Sequence, residues 1–263
     1  MNKIILKEKD KAENKLLKKF GVVILAAGQG KRLNCGDLPK VLYKIGSRPI
    51  ISYILEELEK GGLIKSQICL VVGFKEELVK EKLGPGYIYA SQTERLGTAH
   101  ATLTGEMALP ADFENFIVLN GDDSAFYKFN SLVELIESHL ANDNDISILT
   151  CEPDNAQGLG RVVRGVNGEV LAIVEKENMT PELEKIKEIN TNTFCFKRDW
   201  FKKHYQNLKP IAGLGEYGLP SFVGEALVNK SKFQAVKLKN SNEWFGVNTP
   251  EQLAEADKRK RNI

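Results

Sequence analysis

Residues 21–40 read GVVILAAGQGKRLNCGDLPK. Seven apolar or small residues, Gly21 to Ala27, form a run too short to span a bilayer and suited to a buried strand. The run ends in a loop with two bare glycines, Gly28 and Gly30, followed by Lys31, Arg32 and Lys40. Glycine lets backbone N–H groups come close to a phosphate or a flat base. The cations behind it can hold phosphate oxygens. Two familiar phosphate loops do not fit. A dinucleotide fingerprint needs G-x-G-x-x-G opening a helix, but position 33 is Leu and Asp37-Leu38-Pro39 breaks a helix. A P-loop needs Ser or Thr after its lysine, and Lys31 is followed by Arg32.

Downstream of this loop, strand-like runs alternate with helical patterns. Helical spacing over Pro49–Lys60 puts Ile50, Ile51, Ile54, Leu55 and Leu58 on one face, and Gly61-Gly62 ends it. Strands are expected at 68–72, 87–90, 116–119 and 146–150, with helices at 75–83, 98–108 and 131–141 between them. This alternation predicts a mostly parallel sheet covered on both faces. After residue 150 strand-like pieces fall at 161–164, 170–174 and 189–196. A helix at about 216–228, a strand at 233–238 and a last helix from Pro250 follow. Thr249-Pro250-Glu251-Gln252 is a capping box with proline at the first helical position. No repeat or linker divides the chain, so residues 20–263 read as one domain behind a charged extension at 1–19.

Composition narrows the function. With 37 Lys and Arg against 35 Asp and Glu, the net charge of +2 gives no global attraction to nucleic acid or membrane. Any anion site must be local. The lysine-rich residues 1–19 lack a small-residue cleavage site and do not read as a signal peptide. Cys35, Cys69, Cys151 and Cys195 lack metal or redox spacing and read as free thiols of a cytoplasmic protein, Cys69 and Cys195 as core filling. The closing Lys258-Arg259-Lys260-Arg261 run reads as a solvated helix end.

The full stretch L-A-A-G-x-G-x-R-L followed by L-P-K-V-L resembles the sugar-nucleotidyltransferase superfamily, and most closely the uridylyltransferase domain of bacterial bifunctional N-acetylglucosamine-1-phosphate uridyltransferases. The resemblance runs from about residue 20 to 255. It implies a Rossmann-like three-layer sandwich around a mostly parallel mixed sheet, the nucleotide-diphospho-sugar transferase type. It also implies that Leu25, Ala26, Ala27 and Gly28 wrap the nucleotide while Arg32 and Lys40 meet its phosphates. The loop is one residue longer than the family's around Asn34-Cys35-Gly36.

Four further stretches carry the resemblance. Gln92 to Ala101 is similar to Q-x-x-x-L-G-T-x-H-A, which implies nucleotide contacts for Gln92, Gly97 and Thr98; His100 reads as a packed helix residue. A glutamine amide, with a donor and an acceptor, suits a pyrimidine edge. Asn120-Gly121-Asp122 ends a strand, and Asp122 matches the family's magnesium ligand, although Asp123-Ser124 replaces the usual apolar residue and proline. Gly160 of G-L-G-R, Glu175 of V-E and Asn190 of E-I-N-T match sugar-side positions, with Asn192 where the family has glycine. Asn248 of G-V-N matches the second magnesium ligand.

The implied activity is Mg2+-dependent transfer from UTP to N-acetylglucosamine-1-phosphate, forming a nucleotide-sugar and pyrophosphate. Rival readings are uridylyl, thymidylyl or cytidylyl transfer to glucose-1-phosphate or to a polyol or choline phosphate. A glycosyltransferase using Asp122-Asp123 and a non-catalytic regulatory domain of the same fold are further rivals. The family's hexapeptide-repeat acetyltransferase pattern does not appear by Ile263, so acetyl transfer is not expected.

Overall fold

The computed structural model describes Leu17 and residues 20–33, 37–211 and 215–262, the side chain at 177 apart. The readings of residues 1–16 and of the loop insertion at 34–36, Cys35 included, lie outside the described residues.

The strands are β1 (Phe20–Leu25), β2 (Lys44–Ile45), β3 (Arg48–Pro49), β4 (Ile68–Val72), β5 (Ile88–Ser91), β6 (Asn115–Asn120), β7 (Ile146–Cys151), β8 (Arg161–Arg164), β9 (Val170–Val174), β10 (Ile189–Lys197) and β11 (Phe233–Lys237). The helices are α1 (Ile50–Lys60), α2 (Glu76–Leu83), α3 (Thr98–Ala108), α4 (Phe129–Ala141), α5 (Arg198–Tyr205), α6 (Ser221–Val228) and α7 (Pro250–Arg261).

Seven strands form one sheet in the order β11-β7-β10-β6-β1-β4-β5. Neighbours pair in parallel except β10, which runs antiparallel to both β6 and β7. The mixed, mostly parallel sheet expected from the alternating pattern is therefore present. From β1 the chain builds outward through β4 and β5, then returns to place β6 on the other flank of β1. That reversal opens a crevice beyond the carboxyl ends of β1 and β6, where open α/β sheets bind ligands.

Period-two alternation assigns the two faces. Val22, Ile24, Leu70, Val72, Ile117 and Leu119 share one core with Ile54, Leu58, Leu132 and Ile136 of α1 and α4. Val23, Cys69, Val71, Phe116 and Val118 face the other, with Ala99 and Ala101 of α3, Phe201 of α5 and Phe222 of α6. Cys69, Cys151 and Cys195 are buried free thiols, and burial pushes Cys69 and Cys151 up to about 12. They fill core and are poor nucleophiles.

A third cluster lies beneath the crevice. Leu33, Tyr43, Ile45, Ile50, Phe126, Val247 and Ala256 pack together. The Gly46 N–H donates to Asp257 Oδ1 at 2.7 Å, tying the β2–β3 turn to α7. The capping box is present: Gln252 N–H donates to Thr249 Oγ1 at 3.3 Å, and Gln252 Oε1 accepts from the Thr249 N–H. It also accepts from the Asn248 N–H at 2.7 Å, so the cap fixes the residue just ahead of it.

Two expectations change. The helix read over about 216–228 begins only at Ser221. Pro220 precedes it, and residues 216–219 run beside the start of α3, with the Tyr217 N–H donating to Leu96 O at 2.7 Å. The helix α5 was not anticipated. Its Arg198, Trp200, Phe201 and His204 are buried, but only eight residues and a charged sequence gave a weak periodic signal.

Candidate active site

The crevice has a narrower half and a wider second half. The first is a cavity of about 450 Å3 lined by Leu25, Ala27, Gly28, Lys40, Gln92, Gly97, Thr98 and Asp122 among others. Space beyond Gly28 is open, so a Cβ there would meet nothing within 4 Å. The Lys40 N–H donates to Gly28 O at 3.1 Å and closes the glycine loop upon itself. Ala26 instead turns into the core at 1% exposure, its N–H donating to Val71 O. Alternation along the strand end explains why its neighbours line the cavity and it does not.

Lys40, Asp122 and Asn248 come from three distant segments and meet at one ammonium. Lys40 Nζ pairs with Asp122 Oδ2 and donates to Asn248 Oδ1 at 2.9 Å. Arg32 donates to the same Asn248 Oδ1 at 3.0 Å. The geometry thus shows one carboxylate oxygen and one amide oxygen converging on a single cation. Both are hard oxygen donors of the kind Mg2+ takes alongside phosphate oxygens and water. Among the described residues no group of three or more His, Cys, Asp and Glu side chains forms a metal cluster.

Asp123, adjacent to Asp122, points inward. It is 8% exposed, and Asn120 Nδ2 donates to its Oδ2 at 3.0 Å. Its Oδ1 is buried with no hydrogen-bond partner among the described residues. Burial first, then the neighbouring Asp122 charge, push this carboxyl well above the usual carboxylate range. Asp123 is absent from the cavity wall, which Asn120 and Asp122 line.

Gln92 is 9% exposed; its Nε2 donates to Gly97 O at 3.2 Å and lies 3.2 Å from His100 Nδ1. Its Oε1 has no hydrogen-bond partner among the described residues. Gly97 has φ of +95°, and a Cβ there would fall 2.5 Å from Tyr217 O. Glycine is therefore required by the fold itself. Thr98 Oγ1 accepts from the Leu219 N–H at 2.9 Å, which docks the 215–219 segment against the cavity. Arg95 and Glu216 also line the cavity and were missed. Arg95 could have been noticed as a cation just ahead of Leu96-Gly97. Glu216 had no local signal, since its place depends on that docking.

The second half is a cavity of about 810 Å3 sharing Thr98 and Glu216 with the first. Glu175, Lys176, Asn178 and Asn192 supply its polar wall, and Leu171, Ile173, Ile211 and Leu227 are among its apolar groups. Gly160 abuts Glu175: a Cβ on it would meet Glu175 Oε2 at 3.3 Å and Val174 O at 3.0 Å. Asn190 is not on this wall, and its side chain is hydrogen-bonded to Asn192. Because β10 is antiparallel, its starting end arrives at the same edge of the sheet as the finishing ends of β6 and β7. Glu188, just before it, is 6% exposed and clamped by Arg164 at 2.6 Å and Thr150 Oγ1 at 2.6 Å.

Comparison with known proteins gives this site a family context. The chain is 35% identical over 235 residues to the bifunctional protein GlmU of Acetivibrio thermocellus, across 89% of this chain and 50% of that protein. GlmU of Streptococcus gordonii matches to the same extent. The chain spans about half the length of these curated relatives. A Bacillus anthracis structure described as a glucose-1-phosphate thymidylyltransferase in complex with a sucrose superposes with a TM-score of 0.75, at 20% identity, covering 93% of this chain and 96% of that one. The inositol-1-phosphate CTP transferase from T. maritima gives 0.67 at 18% identity, covering 92% and 96%. These two structural likenesses bear on the fold alone. A family model described as nucleotidyl transferase matches residues 21–262, spanning the glycine loop, the Lys40, Asp122 and Asn248 segments and both halves of the crevice, and the chain belongs to the nucleotidyl transferase family.

Proposed function

We propose that this chain transfers a uridylyl group from UTP to N-acetylglucosamine-1-phosphate, releasing pyrophosphate. The observation that carries this reading is the meeting of Arg32, Lys40, Asp122 and Asn248 at the glycine-loop crevice. The choice of substrates is supported by the GlmU relatives at 35% identity and by the E-I-N-T and G-V-N stretches.

In this reading an acceptor phosphate oxygen attacks the α-phosphorus of UTP, and the bond from that phosphorus to the pyrophosphate oxygen breaks. The acceptor phosphate is already ionised near pH 7, so the chain needs no general base and no nucleophile of its own. Catalysis is positioning and charge neutralisation. Gly28 lets the loop backbone approach the nucleotide, and Gln92 Oε1 accepts from the base. Lys40 and Arg32 donate to phosphate oxygens and offset the charge that builds on the leaving pyrophosphate. Asp122 and Asn248 would hold Mg2+, which when bound supplies further neutralisation of phosphate charge. Glu175 and Asn192 line the acceptor side, with Gly160 abutting Glu175 and Asn190 hydrogen-bonded to Asn192, and a carboxylate and an amide there suit hydroxyl groups.

One observation favours a second reading. The acceptor half has a side chain, Asn192, where the resemblance expects glycine, and an apolar wall. A different phosphorylated acceptor with the same chemistry fits that difference: glucose-1-phosphate, or a polyol or choline phosphate.

The test is pyrophosphate release with magnesium, crossing UTP, CTP, dTTP and ATP against N-acetylglucosamine-1-phosphate and glucose-1-phosphate. Release confined to UTP with the N-acetylated sugar is expected. Release with another pair would move the substrate and keep the mechanism. Release with none would overturn the assignment.

A further inference from the structure

Asn192 occupies a backbone position made for glycine. Its φ is +56°, in the left-handed region that asparagine tolerates better than most residues with a side chain. The pairing of β10 with β7 slips between Asn190 and Thr193, and the irregularity holds Asn192 out of the ladder. Thr191, on the other side of the strand, is buried and donates from its Oγ1 to Leu149 O at 2.8 Å.

The slip brings two amides together. Asn190 Nδ2 donates to Asn192 Oδ1 at 3.1 Å, and Asn190 Oδ1 accepts from the Asn192 N–H at 3.1 Å. Both polar atoms of Asn190 are thus engaged by Asn192. Of the two, Asn192 lines the acceptor cavity beside Glu175, Lys176 and Asn178. Its own Nδ2 has no protein partner among the described residues, which leaves two N–H donors at the cavity wall. A glycine at this position would supply neither those donors nor the volume of the side chain.

Resting on the nucleotidyl-transfer reading, we infer that Asn192 is a specificity-determining residue for the phosphorylated acceptor. Its Nδ2 donates to a hydroxyl or carbonyl oxygen of that acceptor, and its Oδ1 orients Asn190. An acceptor without an oxygen at that place leaves the donors unpaired, and one with a bulkier group there meets the side chain. A site built to hydrogen-bond a polar group discriminates against analogues lacking it far better than an apolar wall can.

The experiment compares wild type with Asn192→Asp and Asn192→Gly. Both replacements tolerate a left-handed backbone. Asp keeps the shape and the oxygen facing Asn190 but removes the two donors; Gly removes the side chain. Binding of N-acetylglucosamine-1-phosphate, glucose-1-phosphate and a polyol phosphate is measured by calorimetry in the presence of a non-reacting UTP analogue, and binding of the analogue is measured separately. The expected result is a loss of about tenfold or more for the preferred acceptor in Asn192→Asp. Asn192→Gly should flatten the preference among the three acceptors, with the analogue bound as by wild type in both variants. Variants that keep the wild-type affinities and order would overturn this inference while leaving the nucleotidyl-transfer reading intact. Wild-type protein that binds the analogue and none of the three acceptors would overturn the acceptor assignment and this inference with it.

Discussion

The Lys40 ammonium lies 2.9 Å from Asn248 Oδ1 across 208 residues of sequence. The same ammonium pairs with Asp122, so the three side chains form one cluster although none is near another in the chain. In the proposed mechanism, removing the lysine would take a charge from the phosphates and leave Asp122 and Asn248 in place. Lys40→Ala is expected to lower turnover about a hundredfold, the scale of losing one electrostatic contact in a transition state. Asp122→Asn, nearly the same shape without the charge, should lose as much and should raise the Mg2+ concentration needed for half-maximal rate. Steady-state kinetics at several Mg2+ concentrations checks both; near-normal turnover in either variant would remove that residue from the mechanism.

His139 predicts an acid limb of stability. It is buried at the amino end of the sheet, with Nδ1 2.9 Å from Ser147 Oγ and Nε2 3.2 Å from Asn115 Oδ1. Burial holds its pKa at about 4 against an ordinary 6.5. Between those values the unfolded chain binds a proton that the folded chain does not, so stability falls as pH drops from 6.5 toward 4. The full effect is about 3 kcal/mol. Denaturant midpoints at pH 7 and pH 5 should differ, and His139→Gln should reduce the difference.

The Glu188–Arg164 pair sits just ahead of β10. Burial raises the Glu188 pKa, but the Arg164 and Thr150 hydrogen bonds outweigh it, so the net shift is downward. A lowered carboxylate pKa gives stability that is present above the ordinary carboxylate value and lost as pH falls through the folded one. Arg164→Ala should cost about 3 kcal/mol near neutrality, because it leaves a buried charge short of its partner. Thermal melts across pH 3–7 would show the variant losing this part of the acid dependence.

Gly97→Ala should damage the fold and the narrower cavity together. Its φ of +95° is strained for any side chain, and the added Cβ would meet Tyr217 O at 2.5 Å. A loss of about 1–3 kcal/mol is expected. Nucleotide binding should weaken as the 215–219 segment shifts. An unchanged melting temperature would show that this contact yields easily.

The layered sheet was legible because continuous apolar runs and helical spacing are local properties. Val22 to Leu25 and Ile68 to Val72 declare both faces in a few residues each, and Thr249 to Gln252 declares a helix start. The segment at 216–220 was misread because its neighbours are Leu96 and Gly97, and pairing over that distance leaves no local mark. Resemblance singled out Lys40, Asp122 and Asn248, but their mutual contact was not read from the sequence, since no spacing rule could place Asn248 beside Lys40. Asn190 and Asn192 show the same limit on a small scale: alternation along a regular strand does not reveal that a slipped register joins their side chains.

The antiparallel strand has an architectural consequence. Cys151 at the end of β7 pairs with Ile189 at the start of β10, so residues 152–188 leave and re-enter the sheet at adjoining points. That excursion carries Gly160 and Glu175 but none of the Lys40, Asp122 and Asn248 segments. Its two ends meet at one rung of the sheet. In the proposed reading, a different excursion there would reshape the 171–178 part of the acceptor wall while Asn192 and the Lys40 cluster stayed where they are.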